Sequence, residues 1–260
     1  MKFYQVDAFT DTVFKGNPAA VVPLENWLSP IAMQQIAAEN NLSETAFFKK
    51  NVDGSFEIRW FTPETEVDLC GHATLAAAHV LFNHLGYFGP EIAFQSKSGI
   101  LTVERRGDFY WMNFPSRPPE PVPVPKLLPE AIGTIPVYTG IHTDILVLVN
   151  EENTLLAIKP DLTLLLGLGV RGVIVTALSS ESGIDFVSRF FAPSVGIPED
   201  PVTGSAHTLL IPFWAKRLGK KYLTARQLSK RGGYIECIHK GERVEIGGQA
   251  VTYLTGEIYI

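Results

Sequence analysis

Cys70-Gly71-His72-Ala73-Thr74-Leu75-Ala76-Ala77-Ala78-His79-Val80-Leu81-Phe82 is apolar around most of a helical circumference, and so is Gly204-Ser205-Ala206-His207-Thr208-Leu209-Leu210-Ile211-Pro212-Phe213-Trp214. Helices without a polar face belong inside a protein. Each begins at a glycine, and each is closed by one, Gly86 and Gly219, so the spacing predicts helices over about 72–86 and 205–219. Around them the chain consists of short β-branched and aromatic runs such as Phe56–Phe61, Ile145–Val149, Gly172–Val175 and Asp185–Phe190, which read as strands. In a β-rich chain a helix that is apolar all round is most simply wrapped by a curled sheet. The expected fold is therefore α+β, with two domains, each a β-barrel-like curled sheet around one central helix.

The triplets Gly71-His72-Ala73 and Gly204-Ser205-Ala206 lie 133 positions apart, close to half of the 260 residues, which points to an internal duplication. Between the halves, Pro115–Pro125 holds six prolines in eleven residues, an extended and stiff connector. The boundary is placed there, giving domains 1–116 and 117–260, with a C-terminal strand at about 250–260 able to return to the first. Two similar barrels would leave a cleft between them. A third helix, outer and amphipathic, is expected from the cap Ser29-Pro30 to about Asn40.

Composition limits the function classes. An apolar content of 46% excludes disorder for most of the chain. Twenty-two basic against 27 acidic residues leave a charge of −5, which gives no long-range pull toward nucleic acid or anionic lipid. The basic run Lys216–Lys221 closes a predicted helix, where it complements the dipole. Two distant cysteines, Cys70 and Cys237, exclude a disulfide scaffold and a zinc knuckle and fit a reducing cytoplasm. The N-terminus has no apolar signal-like region, and the longest uncharged window, Leu69–Pro90, is too polar for a membrane span. No dinucleotide fingerprint or phosphate loop occurs, and the histidines show no metal spacing; cofactors and metals are expected to be absent.

A helix N-terminus carries unpaired N–H groups and partial positive charge, so two of them suit a carboxylate or a developing enolate. Acid–base residues gather near both: Asn41-Leu42-Ser43-Glu44-Thr45, Asp68–Thr74 and Glu199–His207. Singly these motifs are weak. Together with Asp7-Ala8-Phe9-Thr10, Phe14–Ala19, Arg59-Trp60-Phe61-Thr62-Pro63 and Arg189-Phe190-Phe191-Ala192-Pro193, in this order, they resemble the PhzF family of phenazine-biosynthesis-type isomerases, which shares the diaminopimelate epimerase fold.

The resemblance implies a cofactor-free enzyme with two pseudo-symmetric domains, usually a homodimer. In the phenazine enzyme the glutamate matched by Glu44 shuttles a proton between two carbons of a dihydro-hydroxyanthranilate, and the residues matched by His72, Asp200 and Ser205 complete the site. Gly71, Ala73, Gly204 and Ala206 fall where backbone N–H groups meet the substrate, and Asn17 is a further candidate contact. A glutamate working in both directions needs a pKa near the working pH, so partial burial is expected to raise it above about 4.3. Related epimerases use a thiol at each helix start. Here Cys70 stands at the first, but Glu199–His207 contains none, so a two-thiol relay has no second partner. The alternatives are an amino-acid epimerase or racemase and a non-catalytic binding protein on the same scaffold.

Overall fold

A computed structural model describes residues 1–260. In chain order the first half holds β1 (Lys2–Ala8), β2 (Asn17–Leu24), α1 (Pro30–Asn40), β3 (Glu44–Lys50), β4 (Phe56–Phe61) and β5 (Glu66–Val67). Then come α2 (Gly71–His84), β6 (Glu91–Ser96), β7 (Gly99–Arg106) and β8 (Phe109–Pro115). The second half begins with β9 (Glu120–Pro121), α3 (Leu128–Ile132), β10 (Tyr138–Ile141), β11 (Ile145–Leu148), α4 (Glu152–Ala157) and α5 (Leu162–Leu166). It continues through β12 (Val173–Leu178), β13 (Phe186–Ala192), β14 (Ile197–Asp200), α6 (Gly204–Leu218), β15 (Tyr222–Gln227), β16 (Gly233–Lys240), β17 (Arg243–Gly248) and β18 (Ala250–Glu257). The chain divides into two compact units, Met1–Asn113 with Gly247–Ile260, and Phe114–Ile246.

Both units follow one topology. In the first, β2 and β3 run parallel across α1, β3 pairs antiparallel with β4, and β4 runs parallel to β6 across α2. In the second, β11 and β12 run parallel across α4 and α5, β12 pairs antiparallel with β13, and β13 runs parallel to β15 across α6. The first strands match as well: β1 lies between β2 and the returning β18, as β10 lies between β11 and β9. The repeat reaches individual side chains. Arg59 on β4 makes a bidentate pair with Glu66 on β5 at 2.8 and 2.9 Å, with its guanidinium 5.3 Å from the Phe61 ring. Arg189 on β13 does the same with Glu199 on β14 at 2.7 and 3.0 Å, 4.8 Å from Phe191.

The central helices are buried as their composition requires. All residues from His72 to Leu81 of α2 are buried, and the helix packs against β1, β2, β3, β7 and β18. In α6 Trp214 stacks on Phe186 of β13 at 5.7 Å and donates its indole N–H to Thr176 Oγ1 of β12 at 2.9 Å. Pro212 sits inside α6 without breaking it. A proline lacks the N–H that would bond the carbonyl four residues back, at Thr208; that carbonyl accepts instead from the backbone N–H of Arg117 at 2.9 Å.

Three short helices, α3, α4 and α5, go beyond the sequence expectation. Their Leu128, Ile132, Leu155 and Leu165 cover one face of the second sheet over Val147, Val175 and Phe191. In the first unit α1 alone does this, with Met33, Ile36 and Ala37 over Val22, Leu24, Phe47 and Phe61. Ser29 caps α1 by accepting from Ala32 N at 3.2 Å. The proline-rich connector is extended but not free-standing: Glu120 and Pro121 pair with Ile141 and Gly140, and Thr139 Oγ1 donates to the carbonyl of Val122.

Candidate active site

The first unit assembles Asn17, Glu44, Cys70 and His72, which the sequence scatters over 55 positions. Glu44 is the first residue of β3 and lies opposite Ala19 of β2; it is only 9% exposed, which is unusual for a carboxylate. His72 is in the first turn of α2, with Nε2 3.2 Å from Glu44 Oε2. Its Nδ1 faces Asn17 Nδ2 at 3.3 Å and Cys70 Sγ at 3.6 Å. An amide nitrogen only donates, so Nδ1 is the accepting nitrogen and the ring proton belongs on Nε2, the side of Glu44. Burial pushes the His72 pKa down to about 3, so the ring is neutral at physiological pH.

The approach to Asn17 explains its glycine. Gly16 has φ of +63°, and a Cβ there would lie 2.1 Å from the carbonyl oxygen of Ala8. Only glycine permits both. Asp7 holds the same loop by accepting from Phe14 N at 2.8 Å. Asn17 is thereby fixed as a fully buried donor to His72.

Glu44, Cys70 and His72 offer ligand atoms within 4.8 Å of one another, a cluster that sequence spacing did not reveal. The imidazole stands between the other two, with the carboxylate at Nε2 and the thiol at Nδ1.

The second unit holds Asp200, Gly204, Ser205 and Ala206. Asp200 ends β14, buried, and Oδ2 accepts from Thr203 Oγ1 at 2.5 Å. Gln227, fully buried and unnoticed in the sequence, secures this turn: it accepts from Thr203 N at 2.9 Å and donates to the carbonyl of Asp200 at 2.8 Å. Ser205 Oγ accepts from Arg171 Nη2 at 3.2 Å. Gly71 and Gly204 are the first residues of α2 and α6, and neither N-cap side chain, Cys70 or Thr203, bonds into its helix. The first-turn N–H groups of Gly71, Ala73, Gly204 and Ala206 have no acceptor within their helices, as helix geometry dictates.

His79, His207 and the second cysteine are held by packing within the two cores. His79 meets Tyr110 OH at 3.1 Å and Thr252 Oγ1 at 2.8 Å, and burial lowers its pKa to about 4. His207 bonds the carbonyl of Thr203 at 2.8 Å, and burial lowers it likewise to about 4. Burial drives the Cys237 thiol strongly upward.

The doubled curled sheet, each half around one buried helix, is the diaminopimelate epimerase-like fold, and a buried carboxylate–imidazole pair stands at the start of one of those helices. Residues 6–256 match the family model described as phenazine biosynthesis-like protein, and the chain belongs to this PhzF family. It is similar to an uncharacterized isomerase of Pseudomonas aeruginosa, with 51% identity over 100% of this chain and 99% of the relative. A crystal structure of a PhzF-family phenazine biosynthesis protein from Enterococcus faecalis matches with a TM-score of 0.97 and 48% identity, covering 100% of this chain and 99% of the other. A probable proline racemase from Agrobacterium radiobacter, at 12% identity, TM-score 0.64 and coverage of 100% and 93%, shares the fold alone. No helix is long and apolar enough to cross a membrane.

Proposed function

We propose that this protein is a cofactor-independent isomerase that moves a proton within a small carboxylate-bearing substrate, with Glu44 as acid and base. The observation that carries the reading is the buried pair of Glu44 and neutral His72, 3.2 Å apart. The Glu44 carboxylate takes a proton from one carbon, leaving the electron pair delocalised toward the substrate's unsaturated system; the resulting carboxylic acid returns that proton to a second carbon. Nothing is oxidised or reduced. The proton on the carboxylic acid exchanges with solvent in part of the turnovers before its return, so turnover in D₂O labels the product. His72, neutral through burial, adds no positive charge beside Glu44.

In this reading Asp200 orients an amine or hydroxyl of the substrate, Ser205 bonds its carboxylate, and Asn17 keeps His72 in the working tautomer. The N–H groups of Gly71, Ala73, Gly204 and Ala206 serve anionic groups of the substrate. A homodimer in the cytoplasm, without nucleic-acid or membrane partners, belongs to the same proposal; sedimentation of the purified protein tests the dimer.

The test is deuterium incorporation from D₂O into a panel of unsaturated amino and hydroxy carboxylates, followed by NMR. Turnover is expected with at least one member, and Glu44→Gln should lower it by a factor on the order of 10² to 10⁴ while leaving the fold intact. Near-normal turnover in that variant would remove Glu44 from the mechanism. Tight binding of a panel member without exchange would favour the binding-protein alternative.

A further inference from the structure

We infer that Arg171, held by Asp144, is the residue that recognises the substrate's carboxylate beside Ser205. The inference rests on the proposed reading of a carboxylate-bearing substrate, and it starts from the internal repeat. Phe61 pairs with Thr45 and Thr45 with Ala20; in the second unit Phe191 pairs with Val173 and Val173 with Ile145. With Arg59 and Arg189 as equivalent residues, Thr45 corresponds to Val173, Glu44 to Gly172, and Ala19 to Asp144. The mate of the His72 position is Ser205. Where the first unit sets Glu44 against His72 at 3.2 Å, the second sets the start of β12 against the first turn of α6 through Arg171 and Ser205, also at 3.2 Å.

The exchange of groups has a local cause. A Cβ at Gly172 would lie 2.4 Å from the Phe190 ring and 3.1 Å from Asp144 Oδ1, so a side chain at the place equivalent to Glu44 would have to displace Phe190. The charged groups at this place come instead from its neighbours in sequence and across the strand pair, Arg171 and Asp144. Arg171 is held from three sides. Nε donates to Asp144 Oδ1 at 2.9 Å, and Nη2 bonds Asp144 Oδ2. The guanidinium lies 5.6 Å from the Phe190 ring, and Ser194 Oγ donates to the Arg171 carbonyl at 2.7 Å.

This construction is not what a purely structural ion pair needs. Asp144 is completely buried, whereas the Arg171 side chain is 42% exposed, so the pair is a dipole with its positive end toward solvent. Nη1 makes no hydrogen bond within the chain. Ser205 Oγ accepts from Nη2, which leaves its own O–H to donate. A fixed guanidinium with an uncommitted N–H beside an uncommitted hydroxyl forms a two-donor site for a carboxylate.

The test uses acetate, benzoate, anthranilate and succinate as probes, with aniline and benzyl alcohol as matched compounds lacking the carboxylate. Binding is read by calorimetry and by the ¹⁵Nε and ¹Hε signals of the arginine side chains. Arg171→Met alone leaves Asp144 buried without its partner and risks the fold; the Asp144→Asn/Arg171→Met double variant removes both charges, and Arg171→Lys keeps one. At least one carboxylate should bind wild-type protein and shift the Arg171 signal, and the uncharged compounds should do neither. A folded double variant should bind that carboxylate about 10- to 100-fold more weakly, the range for hydrogen bonds to charged groups, with Arg171→Lys in between. No saturable binding by any carboxylate, or equal binding by the double variant, overturns the inference. Glu44→Gln separates the two readings: carboxylate binding retained there with exchange still active refutes the Glu44 mechanism and leaves Arg171 standing.

Discussion

Acidification from pH 7 to 5 is expected to remove a large share of this protein's stability, and three buried histidines set the amount. Burial lowers His72 to about 3 and His79 and His207 to about 4, with His84 and Arg105 adding to the effect on His79. In the unfolded chain each returns to about 6.5. The folded form therefore stays unprotonated in the interval where the unfolded form takes up protons, so stability rises with pH and is lost as pH falls from about 6.5 toward these folded values. One pH unit is worth about 1.4 kcal/mol per group. At pH 5, some 1.5 units below the unfolded value, each histidine costs roughly 2 kcal/mol and the three about 6 kcal/mol, against a total of about 5–15 kcal/mol for a typical domain. Carboxylates do not blur this window: Glu66, drawn to about 2 chiefly by its bond to Arg59, begins to lose its contribution only below about 4.5. Urea unfolding at pH 7.5, 6 and 5 should give a steeply falling midpoint, and potentiometry at pH 5 should record uptake of about three protons on unfolding. His207→Gln, whose amide can still reach the Thr203 carbonyl, should abolish about one third of that uptake. Uptake near zero at pH 5 with an unchanged midpoint would refute the assignment of these rings as neutral and buried.

Trp214→Phe keeps the stack on Phe186 but removes the donor to Thr176 and part of the ring; a loss of about 2 kcal/mol in chemical unfolding is expected, and more when combined with Thr176→Val, which also takes the hydroxyl donor from the Val187 carbonyl. Cys70→Ala should retain most solvent-exchange activity, because the thiol lies beside His72 Nδ1, away from the nitrogen that faces Glu44; a folded but inactive Cys70→Ala protein alongside an active Glu44→Gln protein would transfer the base to the thiol and favour an epimerase.

The central helices were legible because their signal is large: ten consecutive buried residues in α2 cannot be mistaken for a surface helix, and glycine marks each start. Helices α3, α4 and α5 were not, since five or six residues make less than two turns and carry no readable period. The approach of Glu44 to His72 lies between these cases. Local sequence places one at a strand start and the other at a helix start, 28 positions apart; their meeting depends on the β2–β3 register and on how α2 packs beneath it. Only several motifs taken together suggested it. Arg171 had no such support, because a lone arginine before a glycine reads as a turn, and its significance emerges only from the register that equates Gly172 with Glu44. Gln227 is hidden for a similar reason, acting on Asp200 and Thr203 from 24 or more positions away.

The divergence of the two repeats follows from the charge that the proposed reaction handles. A carboxylate substrate arrives negative, and removing a carbon-bound proton adds negative charge to it. A second glutamate at the place equivalent to Glu44 would repel that anion and, as a like charge, raise the pKa of whichever carboxylate was nearer. At Gly172 the duplication has lost the side chain altogether, and the adjacent residue supplies a cation whose counter-charge, Asp144, is kept wholly behind it. The first unit thus keeps a group that can gain and lose a proton, with a neutral imidazole as its neighbour. The second keeps a guanidinium, a fixed cation held by Asp144. Exchanging the two would fail on both counts, because arginine cannot serve as a base and a buried glutamate cannot hold an anion. In the proposed reaction one repeated scaffold does different work at its two helix starts, and the residue that marks the loss of symmetry is the glycine beneath Phe190.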